Sequence, residues 1–296
     1  MKILITGSSG MLGQALCREL AAGHEVIGLD IGIFKILSNI GRVDFFLADI
    51  TDAKFIIGKI IERHPDIIIH CAAYTNVDSA EKERTAANLI NAEGTKSVAA
   101  AARQINAFLI YISTDYVFDG KKDSPYNEND KPNPVGYYGE TKLKGEIAVK
   151  NILDEYLIIR TSWLYGKGGR NFIGAILDKA KTEKTIKVVN DQIGSPTYAD
   201  DLAKAISYII GHRLLTVDYR LVHITNSCSC SWYEFAKEII NTAGIKGVNV
   251  VPILSQELNR PAKRPKMSVL DNGLFRKIYG RGLPHWKDAL KRYLKQ

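Results

Sequence analysis

Long apolar runs are missing from this sequence. No stretch of about 18 consecutive apolar residues occurs, so no segment is read as spanning a membrane. The N-terminal string Met1-Lys2-Ile3-Leu4-Ile5-Thr6-Gly7 holds one charge and a short apolar run that ends in a turn. It lacks the longer apolar stretch and cleavage site of a signal peptide, so a cytoplasmic protein is expected. Cysteine is scarce, with four residues in 296. Cys17 and Cys71 lie in apolar segments, where free cysteine is common. Cys228-x-Cys230 has no second Cys or His pair at zinc spacing, so reduced thiols and no metal are expected. Internal repeats and low-complexity linkers are absent too. What is present, 46% hydrophobic and 24% charged residues, is a globular composition and excludes a disordered chain. A chain of this length buries enough surface to need neither disulfide nor metal.

The net charge is +8, from 40 basic and 32 acidic residues. The basic residues are scattered except for one cluster, Arg260 through Lys266. There is no zinc finger, RNP-type motif or basic heptad helix, so no nucleic-acid partner is expected. The cluster could instead meet a phosphate on a small ligand.

Apolar runs alternate with helical patterns through the first half. Strands are expected at Lys2–Thr6, Glu25–Leu29, Val43–Leu47, Asp66–His70, Phe108–Ile112 and Tyr156–Arg160. Helices are expected over Met11–Ala22, after Thr51-Asp52, and over Ala86–Gln104 as one long Ala-rich element. This alternation predicts an α/β fold: a doubly wound parallel sheet of Rossmann type over residues 1–165. The pattern then mixes short strands (Ile186–Val189, Leu221–Ile224, Val248–Val251) with helices (Phe172–Lys181, Ala199–Ile210, Tyr233–Ala243, Trp286–Leu294). Residues 166–296 are therefore expected to form mainly a smaller, mixed α/β substrate lobe, with parts of 195–225 rejoining the first domain.

Thr6-Gly7-Ser8-Ser9-Gly10-Met11-Leu12-Gly13 follows the first strand and opens the first helix. Glycines there permit a tight turn and close approach of a pyrophosphate to a helix N-terminus. The spacing is G-x-x-G-x-x-G rather than the commoner G-x-G-x-x-G. Asp30 ends the second strand, where an acid bonds ribose hydroxyls and repels a 2′-phosphate. No basic residue follows before Lys35, which leans toward NADH and leaves NADPH open. Asp49 could reach the adenine or could cap the helix near Thr51.

Tyr138 and Lys142 stand at i and i+4, on one face of an expected helix. An ammonium beside a phenol is expected to lower its pKa and make it a usable acid or base. The pair follows Pro132 and Pro134 and the fifth strand's Ser113-Thr114-Asp115. Gly7, His70-Cys71-Ala72-Ala73, Ser113-Thr114 and the Tyr138 helix are all expected at the carboxyl edge of the sheet, where ligands bind.

With these motifs the sequence resembles the extended, sugar-nucleotide-modifying branch of the short-chain dehydrogenase/reductases. Further strings sharpen the resemblance: Ala73–Glu81, Ser113–Gly120, Arg160–Gly166, Asn190–Thr197 and Arg264-Pro265. Together they are similar to the dTDP-4-dehydrorhamnose reductase family over nearly the whole chain. That resemblance implies reduction of the 4-keto group of a dTDP-4-keto-6-deoxy sugar by NADH or NADPH, with a homodimer open. It implies Tyr138 as proton donor, Lys142 on the nicotinamide ribose and Thr114 as donor to the substrate carbonyl. For the cofactor it implies Gly7, Ser9, Gly10, Met11, Leu12 and Gly13, then Asp30, Asp49 and Ile50, then Cys71, Ala72, Ala73 and Tyr74. For the sugar or its nucleotide it implies Thr75, Val77, Asp115, Tyr116 and Trp163, with Gln192, Thr197 and Arg264 from the second half.

Two other resemblances compete. A dehydratase or epimerase of the same superfamily is one, but dehydratases place Asp-Glu after the catalytic Thr, where this chain has Asp115-Tyr116. The other is a non-catalytic partner subunit, since the regulatory β-subunit of methionine adenosyltransferase resembles the same reductases.

Overall fold

The computed structural model describes residues 1–32, 43–212 and 219–295; Lys35 lies outside them. The longer strands are β1 (Lys2–Thr6), β2 (Glu25–Asp30), β3 (Val43–Leu47), β4 (Ile67–His70), β5 (Phe108–Thr114), β6 (Tyr156–Thr161), β7 (Thr185–Val189), β8 (Leu221–His223) and β9 (Asn249–Ile253). The longer helices are α1 (Met11–Leu20), α2 (Ala53–Arg63), α3 (Thr95–Ile105), α4 (Tyr137–Ile152), α5 (Phe172–Thr182), α6 (Ala199–Gly211), α7 (Trp232–Thr242) and α8 (Trp286–Leu294).

Seven strands form one parallel sheet in the order β8-β6-β5-β4-β1-β2-β3. The near-continuous apolar runs of β4 and β6 are buried throughout, as a sheet covered on both faces requires. Strand order reverses direction between β1 and β4. The crevice outside the carboxyl ends of those two strands is where such a sheet binds ligands.

One face is covered by α1 and α6, whose Leu12, Leu16, Leu202 and Ile206 bury against β1 and β6. The other is covered by α2, α3 and α4. In α3 the buried residues Ala99, Ala101 and Ala102 are small enough to let the helix lie close to the sheet. Because α6 packs on α1 and β8 pairs with β6, residues from the second half of the chain complete the first domain. A separate core gathers Ile173, Ile186, Phe235, Ile239 and Trp286 under α5, α7, α8 and the parallel β7–β9 pair. Among the described residues no helix is long and apolar enough to cross a membrane, and all four cysteines are free thiols.

The single helix expected over Ala86–Gln104 is instead an α-helical turn at Arg84–Asn88, a π-helical segment at Leu89–Gly94, then α3. The wider turn has a physical cause in Asn91. Its buried side chain accepts from Tyr74 N (2.8 Å) and donates to Tyr74 O (3.1 Å) and Thr141 Oγ1 (3.0 Å). One amide thus ties the segment after β4 to the helix that carries Tyr138 and Lys142.

Helix α4 is also pinned by a charge pair. The Arg160 guanidinium from β6 donates twice to Glu146 of α4, at 2.8 and 2.7 Å, and Ser113 of β5 donates to the same carboxylate at 2.6 Å. Both charged side chains are fully buried. Removing one partner of such a pair leaves an uncompensated charge, at a cost of about 3–5 kcal/mol. Arg160→Leu is expected to lower the unfolding free energy by about that amount in a urea titration. The double variant Arg160→Leu/Glu146→Leu should lose less. Equal losses in the two would mean that the stranded charge is not the cause.

Candidate active site

One cavity of about 890 Å³ lies at the switch point. It is lined by the glycine turn, the ends of β2, β4 and β5, the start of α4, and residues after β6. The turn is shaped by two close approaches. Gly7 has φ +67°, and a Cβ on it would stand 2.6 Å from Ala72 N. A Cβ on Gly13 would overlap the Gly7 carbonyl oxygen. Helix α1 therefore starts directly on the turn. Gly10 caps it without a side-chain bond, and its first turn holds no acid. Its free N–H groups and positive dipole end are left to an anion. These features fit the pyrophosphate of a dinucleotide.

At the end of β2, both oxygens of Asp30 are engaged by backbone, from Ser9 N (2.9 Å) and Ile31 N (2.8 Å). The carboxylate is thereby fixed against the glycine turn while staying on the cavity wall. Asp49 and Ile50 line the same end. Asp49 accepts from Thr51 N (2.8 Å) but does not cap α2. That cap is Asp52, which accepts from Phe55 N at 3.0 Å.

Thr114, Tyr138 and Lys142 line one wall together. Tyr138 stands in the first turn of α4 and Lys142 one turn further in, buried. The Lys142 ammonium donates to Ile112 O at 2.8 Å and lies 4.3 Å from the centre of the Tyr111 ring. Burial pulls its pKa down to about 7, against the pull of the Glu146 charge one turn along. The expected lowering of the Tyr138 phenol does not occur in this state. Burial pushes the phenol well above its ordinary value, the Asp115 charge adds to this, and Thr114 opposes it. Desolvation dominates, and the phenol is held as a neutral O–H donor.

Thr114 ends β5, accepts from Tyr116 N (3.1 Å) and donates to Asp115 Oδ1 (3.1 Å). Asp115 is buried, with Oδ2 unpartnered among the described residues. Burial raises its pKa to about 7, opposed by the nearby Ser268 and Thr114 hydroxyls. Tyr116 meets Tyr138 edge-on, ring centres 5.9 Å apart. Trp163 holds a left-handed backbone, φ +47°, and stacks on Trp232 with ring centres 3.4 Å apart and planes 5° from parallel. Thr75, Val77, Cys71, Ala72 and Ala73 complete the adjoining wall.

Four residues singled out in the sequence lie off the cavity wall. Tyr74 turns its hydroxyl out to Glu83 (2.9 Å) while Asn91 holds its backbone. Thr197 is fully buried in a short ladder with Leu164 and donates to Ser195 O (3.3 Å). Gln192 is buried beyond the wall. Arg264 is taken up by Asp78, which it grips with two nitrogens at 3.0 and 2.8 Å, and it reaches the cavity only through Tyr116. Opposite charges close by satisfy each other first, and spacing does not reveal such a partner. Conversely, Ser162, Gly168, Gly169, Arg170 and Trp232 line the cavity without having been anticipated. The glycine-rich string after β6 was a readable signal for the loop, whereas Trp232 carried none.

Asp115 supplies a pH test. Its folded pKa lies above the ordinary carboxylate value, so the folded state binds more protons between about pH 4 and 7. Its contribution therefore turns unfavourable as pH rises through that window. Asp115→Asn is expected to gain stability relative to the parent from pH 4 to pH 8, by on the order of 1–3 kcal/mol. Urea titrations of both proteins at the two pH values would show it. A difference that stays constant would mean Asp115 is charged in the fold throughout.

Residues 1–296 match a family model described as RmlD substrate binding domain. The Bacillus subtilis spore coat polysaccharide biosynthesis protein SpsK is 40% identical over 298 residues, covering 100% of this chain and 97% of the relative. A crystal structure of a dTDP-4-dehydrorhamnose reductase from Clostridium acetobutylicum has 41% identity and a TM-score of 0.89, covering 100% of this chain and 99% of its own. One of the Bacillus anthracis dTDP-4-dehydrorhamnose reductase in complex with NADP has 40% identity and a TM-score of 0.86, covering 99% and 98%.

Proposed function

Because the chain belongs to the RmlD substrate binding domain family along its whole length, we propose that it is an NADH- or NADPH-dependent oxidoreductase of nucleotide-sugar synthesis. Its substrate is dTDP-6-deoxy-L-lyxo-4-hexulose and its product dTDP-L-rhamnose. The observation that carries this reading is the meeting of Thr114, Tyr138 and Lys142 with the glycine turn around one cavity. Full-length likeness to reductases of this name supports the choice of substrate.

The reduced nicotinamide, when bound, supplies a hydride. The remaining work falls to side chains. A carbonyl that gains hydride at C4 must gain one proton on oxygen, and Tyr138 is the donor. Its raised pKa keeps that proton in place until negative charge builds on the sugar oxygen. Thr114 polarises the carbonyl as a second donor. Lys142 holds the ribose hydroxyls and, in its charged form, favours the phenolate left after transfer. Asp115, Tyr116 and Trp163 shape the sugar end, with Thr75 and Val77 beside them.

The test is loss of reduced-nicotinamide absorbance with the purified protein and the dTDP-4-keto sugar. Tyr138→Phe is expected to bind cofactor as the parent does and to lose roughly 10²–10⁴-fold in kcat. A variant keeping more than about a tenth of the activity would remove Tyr138 as donor. A parent that binds cofactor and turns over no keto sugar would favour the regulatory-subunit reading.

Asp30 supplies a second test. Its fixed carboxylate disfavours a 2′-phosphate, so the parent should use NADH at least as well as NADPH. Asp30→Ser should raise the NADPH/NADH ratio of kcat/KM. A parent that prefers NADPH by about tenfold, roughly 1.4 kcal/mol, would overturn this reading of the β2 end.

A further inference from the structure

The loop after β6 reads Gly166-Lys167-Gly168-Gly169-Arg170, and it lies on the first turn of α1. Gly168 and Gly169 make that contact, and Gly166 packs on Ala199 of α6. A Cβ on Gly168 (φ +84°) would overlap the Gln14 amide. One on Gly169 would stand 2.7 Å from Met11 Cγ, and one on Gly166 2.8 Å from Ala199 Cβ. A Cβ at any of these positions would require its neighbour to shift, so the loop packs directly on the side chains of Met11, Gln14 and Ala199.

Both ends of the loop are tied. The buried Gln14 donates Nε2 to Ser9 O (2.7 Å) and to Gly168 O (3.4 Å), linking the loop to the glycine turn. Asn171 donates Nδ2 to Gly166 O (2.9 Å) and accepts from Gly174 N (3.1 Å) as the cap of α5. Arg170 stands between Gly169 and Asn171 and lines the same cavity as Gly7, Ser9, Gly10 and Met11. It is exposed, and among the described residues its guanidinium has no hydrogen-bond or ion-pair partner. This sets it apart from Arg160, Arg264 and Arg292, each of which grips a carboxylate.

Arg170 thus follows a glycine packed on Met11 and lines the cavity that the start of α1 also lines, a helix N-terminus with neither a side-chain cap nor an acid in its first turn. Two positive features converge on one place, and a diphosphate would satisfy both. The N–H groups would meet one side of it and the planar guanidinium fork the other. We propose that Arg170 is a cofactor-binding residue that clamps the pyrophosphate of the dinucleotide against the start of α1. The inference rests on the cofactor reading given above. It names the cofactor's diphosphate rather than the nucleotide sugar's, because the loop is fastened to the glycine turn through Gln14.

The test is equilibrium binding, read by quenching of tryptophan fluorescence on the full-length protein. Parent, Arg170→Ala and Arg170→Lys are titrated with NADH, NADPH and ADP-ribose, which keeps the pyrophosphate without the nicotinamide. Arg170→Ala should weaken all three by a common factor of about tenfold or more, as loss of a charge-assisted contact does. Arg170→Lys should restore part of it, and the KM for the nucleotide sugar should not move. A loss confined to NADPH would make Arg170 a reader of the 2′-phosphate and overturn the proposal. A rise in the nucleotide-sugar KM alone, or no change with any ligand, would overturn it as well. A parent that binds none of the three ligands would instead bring down the cofactor reading itself, and the clamp with it.

Discussion

Glu146 is a carboxylate with no access to water, and the active-site wall depends on how its charge is met. Arg160 meets it with two parallel N–H bonds and Ser113 with an O–H. These three residues come from α4, β6 and β5. Neutralising the buried charge therefore holds the helix that carries Tyr138 and Lys142 onto the two strands whose ends line the cavity. The Arg160 guanidinium also lies 5.0 Å from the Phe118 ring centre and near His223 of β8. Burial lowers His223 to about pKa 3, with the Arg160 charge adding to the effect, so it stays neutral and adds no second charge. The same arrangement reaches Lys142, because Glu146 stands one helical turn away and favours its charged form.

The opposite wall is built around glycines, with the Asp30 carboxylate fixed against the turn. There, backbone approaches backbone at Gly7 and Gly13, Gly168 and Gly169 pack on the Gln14 and Met11 side chains, and the absence of Cβ atoms sets the spacing. The result is a rigid seat with a net positive potential at the α1 terminus. One wall thus offers fixed N–H dipoles and the other titratable side chains. A reductase needs both: a seat that orients the hydride carrier, and a donor whose proton stays in place until the oxygen becomes basic. Desolvation serves the second need. It raises the Tyr138 phenol and lowers the Lys142 ammonium, so that burial favours the neutral form of each.

Strain appears where the two walls meet the second lobe. Trp163 adopts a left-handed backbone that costs energy for a residue with a Cβ. The indole is held by face-to-face stacking on Trp232, and Gly194 lies so close beneath it that a Cβ there would overlap the ring. The residues that compensate the strain come from α7 and from the segment after β7, distant in sequence from Trp163 itself.

Sequence periodicity by itself determined the parallel sheet, because strands buried on both faces read as near-continuous apolar runs, as Ile67–Ile69 in β4 and Tyr156–Ile159 in β6 do. It also determined the glycine turn and the Tyr138–Lys142 face, since both are local: a tight turn needs Gly7, and i,i+4 spacing on α4 needs no knowledge of distant residues. Tertiary structure alone decided the rest. The π-helical turn at Leu89–Gly94 exists to aim Asn91 at Tyr74 and Thr141, partners 17 and 50 positions away. Arg264 and Arg170 look alike as letters, yet one is neutralised by Asp78 across 186 positions and the other stands free on the cavity wall. The phenol's pKa lies above its ordinary value where spacing predicted a fall, because spacing puts a lysine on the same helix face but does not reveal the burial of the phenol. Charge and hydrogen-bond partners are chosen by the folded chain, at sequence distances over which no local pattern carries information.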